Sequence, residues 1–134
     1  MSLPLLRSVA AAAVLFSLGA PVAALAHHSF AMFDREREVT IVGQVRQFQW
    51  SNPHAWIELD APNAKGGSDK WSIEMNSPNN LVRQGWKSSS LKAGDKVAVT
   101  INPLRSGESG GLFVAVKLPS GQVLGDPTRA AAAG

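Results

Sequence analysis

Residues 39–50 read VTIVGQVRQFQW. Val39, Ile41, Val45, Phe48 and Trp50 are the β-branched and aromatic types that fit a pleated, half-buried surface. The spacing predicts one long strand. Gly43, in its middle, predicts a bulge or a sharp bend, because a glycine inside a strand loses packing and is kept where the backbone must turn or approach another closely.

The chain that follows has the chemistry of a small barrel. Ser51-Asn52-Pro53 is turn chemistry. Residues 54–60, HAWIELD, alternate: Ala55, Ile57 and Leu59 share one face, and Trp56, Glu58 and Asp60 share the other. Residues 61–70 read as a polar loop, and residues 71–75, WSIEM, alternate again with Trp71, Ile73 and Met75 on one side. The period then changes. Ser77 is a helix cap and Pro78 suits the first helical position, which predicts a short helix over Pro78–Gln84 with Gly85 near its end. A turn at Leu91–Asp95 leads to a fourth strand over Val97–Ile101, ended by Asn102-Pro103. A glycine-rich connection leads to a fifth over Leu112–Leu118, and a hairpin turn at 119–122 returns through Val123 and Leu124.

Strand, strand, strand, short helix, strand, strand is the order of a Greek-key barrel of the OB type. The expected fold is therefore all-β: a small five- to six-stranded antiparallel OB-like barrel with one short helix between strands three and four. Another small antiparallel barrel or sandwich is the alternative. The sequence carries no internal repeat.

Outward from the barrel, the N-terminus has three zones. Met1–Arg7 carries one base and no acid, residues 8–20 are apolar, and Ala24-Leu25-Ala26 is a small-x-small cleavage pattern. The apolar run is shorter than the roughly 20 residues a membrane-spanning helix needs. Residues 1–26 are thus predicted to be a cleaved signal peptide, residues 27–124 one domain, and residues 125–134 a frayed tail. The expected location is the periplasm, with no membrane span in the mature chain. There is no cysteine, so an exported domain must rely on its core rather than on disulfides.

Charge excludes little by itself. The full chain is +3, and loss of Arg7 leaves 12 bases against 10 acids. Acids and bases interleave, as in Asp34-Arg35-Glu36-Arg37-Glu38, so no basic block marks a nucleic-acid partner.

The candidate site residues are the three histidines, His27, His28 and His54. Cleavage after Ala26 makes His27 the first residue. A terminal amine gives up its proton at a pKa of about 8, and together with the ring Nδ1 of the same residue it can chelate a metal. A second imidazole, from His28 or His54, completes a planar nitrogen set, which suits Cu(II). Met32 and Met75 offer soft thioethers for Cu(I). Zinc sites usually take three or four protein ligands, often cysteines, so copper is the expected metal. The competing readings are that the paired histidines aid processing and that His54 caps a turn.

A metal-free reading places a peptide, glycan or small ligand on an aromatic face, with Trp50 and Trp56 as the binding residues. Trp71 is expected in the core. Glu58, Asp60 and Glu74 fall where a carboxylate pair across neighbouring strands is conceivable. No nucleophile–base set or phosphate loop appears, so no catalytic residue is assigned.

Residues 27–34, HHSFAMFD, resemble the start of a family of small exported bacterial proteins known as domain of unknown function 6152. Asn52-Pro53-His54-Ala55-Trp56, Gly85-Trp86 and Gly94-Asp95-Lys96-Val97 fit the same family. The resemblance covers nearly the whole mature chain. It implies one compact β domain exported to the periplasm of a Gram-negative bacterium, and it groups the three histidines without implying an activity. The resulting expectation is a periplasmic carrier, buffer or accessory factor whose partner is a copper ion or another periplasmic protein.

Overall fold

The computed structural model describes residues 30–126. The expected signal peptide, His27, His28 and the tail from residue 127 lie outside the described residues. The elements are β1 (Val39–Gln49), β2 (Trp56–Pro62), β3 (Ser68–Glu74), α1 (Pro78–Arg83), β4 (Lys96–Pro103), β5 (Gly110–Lys117) and β6 (Val123–Gly125).

β1 serves two neighbours. Its first half, Val39 to Gln44, pairs with β4, and its second half, Gln44 to Gln49, pairs with β2. The strand changes partner at the glycine. A Cβ on Gly43 would sit 2.5 Å from the main-chain oxygen of Asp60, so only glycine lets β2 pass this closely. The register shift itself falls two residues later, between Val45 and Gln47.

β2 and β3 form a hairpin whose strands are longer than their apolar pattern, running to Pro62 and from Ser68. Asn63 holds the turn: its Oδ1 accepts from the amides of Lys65 and Gly67. α1 begins as expected, with the Ser77 hydroxyl accepting from the Asn80 amide and Pro78 in the first turn. β4 pairs antiparallel with β5, and β6 extends the sheet at its edge. Gly125, expected in the tail, is the last residue of β6 and pairs with Ala115.

Closure comes from β3 and β5, where Ser72–Glu74 lie beside Gly110–Leu112 in parallel. The barrel is therefore antiparallel except at this one seam. The resulting circuit, β1-β2-β3-β5-β4 and back to β1, is that of an OB barrel. Its core contains Val45, Ile57, Leu59, Ile73, Val99, Ile101 and Val116, plugged from α1 by Leu81 and from the next turn by Trp86. Trp86 is 1% exposed and lies edge-on to Phe113, with ring centres 5.4 Å apart.

The segment before β1 is anchored as well. Phe33 is buried and bridges to Leu104, and the Asp34 amide donates to the Pro103 carbonyl at 2.8 Å. Arg105 holds the same segment twice, through its amide to Met32 O and its Nε to Ala31 O.

Candidate functional site

His54 lies between β1 and β2, in the loop that follows Asn52-Pro53. The backbone there is fixed on both sides. Ser51 Oγ donates to the His54 carbonyl, the Ala55 amide donates to Asn76 O, and the Met75 amide donates to Ala55 O. The β2–β3 ladder thus continues past the strand ends and carries the histidine with it.

The imidazole is held in one tautomer. Its Nδ1 is 2.8 Å from the carbonyl oxygen of Met75. A carbonyl only accepts, so Nδ1 carries the proton of this hydrogen bond. Nε2 is left facing the carboxylate of Glu74, 3.7 Å from Oε1. This is the usual arrangement of a metal-binding histidine, one ring nitrogen fixed by a backbone oxygen and the other turned to the site.

Glu74 sits on the outward row of β3, yet its side chain is only 9% exposed. Register explains the burial. Trp56 is its partner on β2 and Leu112 its partner on β5, so an aromatic and an aliphatic residue flank it across both ladders.

His54 and Glu74 border a cleft of about 520 Å³, whose lining also includes Phe30, Leu81, Phe113 and Asp126. Phe113 begins an aromatic row that continues inward through Trp86 and Phe48 to Trp50. Phe30, at the start of the described chain, is kept at the cleft by the Phe33 anchor, which also donates its amide to Phe30 O.

The other residues singled out from the sequence are dispersed. The Met75 side chain is buried in the core, whereas Met32 is 49% exposed. Trp50 and Trp71 pack against the core, and Trp56 lies in the outward row of β2. The three acids do not pair with one another. Arg46 binds both Glu58 and Asp60, at 3.1 and 2.9 Å, and only Glu74 turns to the cleft. The bulge after Val45 brings Arg46 over that acidic row, and it neutralises what would otherwise repel. Among the described residues no three histidine, cysteine, aspartate or glutamate side chains form a metal cluster, and no helix is long and apolar enough to cross a membrane.

Glu74 and Phe33 are the residues that sequence reasoning undervalued. Glu74 looked like any outward strand acid, and Phe33 stood in no periodic segment.

Residues 14–114 match the model of a family described as Family of unknown function (DUF6152). The chain belongs to this family. The DUF6152 match includes His27, His28, His54, Glu74 and Trp86. No curated protein matches the chain. Among solved structures it is similar to Rim1, a mitochondrial single-stranded DNA-binding protein from S. cerevisiae, at 13% identity and a TM-score of 0.47, over 62% of this chain and 93% of that one.

Proposed function

We propose that this DUF6152 protein is a periplasmic copper-binding barrel, in which the terminal His27, His28 and the ring of His54 hold one Cu(II) ion. The observation that carries the reading is the fixed tautomer of His54, whose Nε2 is turned to a cleft that Phe30 also lines. His28 is two residues before Phe30 and His27 three. At about 3.5 Å per residue, this short spacing ties both histidines closely in sequence to a residue that lines the cleft with His54. Cleavage after Ala26 frees the amine of His27, which with its own ring and another imidazole makes a nitrogen set of the kind Cu(II) favours. An ion held by so few residues on a small barrel suits carriage, buffering or delivery to a protein partner.

The test compares two preparations, one beginning at His27 and one with a single extra residue ahead of it. Both are titrated with Cu(II) and examined by electron spin resonance. The first is expected to bind one equivalent at least 100-fold more tightly, with hyperfine lines from several nitrogens. Equal, weak binding in both overturns the reading.

A further inference from the structure

The cleft holds a second donor that the histidine set leaves out. The Glu74 side chain is nine-tenths buried, and its Oε1 lies 3.7 Å from His54 Nε2. Because Nδ1 holds the proton shared with Met75 O, a neutral His54 turns the lone pair of Nε2 toward a carboxylate. A cation placed between these two acceptor atoms would be held by both.

The two atoms are too far apart for a direct hydrogen bond. A proton on Nε2 would draw the oxygen to about 2.7–2.9 Å, the length of a charged hydrogen bond. Two donors about 2.0–2.2 Å from one ion lie roughly 3 Å apart at the right angle of a planar set and roughly 3.4 Å apart at a tetrahedral angle. At 3.7 Å the pair stands slightly wider than either arrangement, and a small movement of the Glu74 carboxylate brings both atoms within reach of one ion. The flanking Trp56 and Leu112 offer no charge to compensate the carboxylate, and Arg46 on the outward face is committed to Glu58 and Asp60.

We propose that Glu74 is itself a metal ligand, supplying one anionic oxygen beside His54 Nε2, so that the cleft holds a divalent cation in a mixed nitrogen–oxygen set. This rests on the reading that His54 binds metal and adds a residue to that site. The carboxylate lowers the net charge of a bound divalent ion and ties the ion to β3, the strand at the barrel seam.

The experiment uses protein recovered from the periplasm after expression of the full chain, as wild type, His54→Ala and Glu74→Gln, each titrated with Cu(II). Glu74→Gln is expected to lower affinity about 10- to 100-fold and to shift the copper spin-resonance parameters, while the melting temperature without metal holds or rises, since a buried charge has been removed. Wild-type affinity and spectrum in Glu74→Gln overturn the assignment of Glu74. If His54→Ala still binds weakly in that case, the copper reading survives; if His54→Ala binds like wild type, both fall. A purely structural Glu74 would lower the metal-free melting temperature and leave affinity intact, which also overturns the assignment. Should Glu74→Gln not fold, infrared difference spectra of the wild type decide: a carboxylate band that shifts on adding Cu(II) supports the proposal, and its absence overturns it.

Discussion

Nδ1 of His54 lies 2.8 Å from the main-chain oxygen of Met75 and ties the loop after β1 to the end of β3. The bond has a structural value of its own. Removing it by His54→Ala frees a carbonyl at the edge of a cleft that water can reach, so the metal-free protein is expected to lose only about 0.5–1.5 kcal/mol in urea unfolding. A loss several times larger would make His54 a structural residue first.

Trp86 is the largest fully buried side chain and closes one end of the barrel between Phe48 and Phe113. Trp86→Ala is expected to cost about 3–5 kcal/mol, against a total of roughly 5–15 kcal/mol for a domain of this kind. Trp86→Phe keeps a ring between the same neighbours and is expected to cost clearly less. Urea midpoints at a constant slope check both.

Gly43→Ala tests the bend of β1. The new Cβ would meet main-chain atoms, Asp60 O at 2.5 Å and Asp60 C at 3.1 Å, and neither can rotate away. The expected cost is about 1–3 kcal/mol. Gly67→Ala is the control: its Cβ would meet only the Asn63 side chain, at 3.6 Å, and the expected change is under about 0.5 kcal/mol. Thermal unfolding of the two variants separates close approach from a general glycine effect.

Arg46→Ala leaves Glu58 and Asp60 unneutralised on the outward face. Because Arg46 and Asp60 are 36% and 42% exposed, water screens the pairs, and the expected loss is below about 1 kcal/mol. The loss should shrink further in 1 M salt, where screening acts over about 3 Å.

What the sequence disclosed follows from how local each signal is. The alternation in residues 54–60, the Ser77-Pro78 helix start and the mid-strand glycine are written within a few residues, and each has its expected place in the barrel. The start of β3 was hidden because Ser68-Asp69-Lys70 has no apolar face; its pairing with residues 60–62 is a property of the hairpin. The parallel seam between β3 and β5 joins segments almost forty residues apart and leaves no periodic mark. The burial of Glu74 was hidden for the same reason, since Leu112 flanks it across that seam. His54 stood out as one of three histidines, but the carbonyl that fixes its tautomer belongs to a residue 21 positions away.

The central claim is that the ring of His54 and the processed N-terminus share one ion. Counting the imidazoles on bound Cu(II) tests it most directly, by pulsed electron spin resonance on periplasm-processed wild type and His54→Ala, with the N-terminus verified by mass spectrometry. Wild type is expected to show one more coordinated imidazole than His54→Ala, on a protein whose first residue is His27. The same number in both, or an N-terminus other than His27 on a protein that binds equally well, would contradict it.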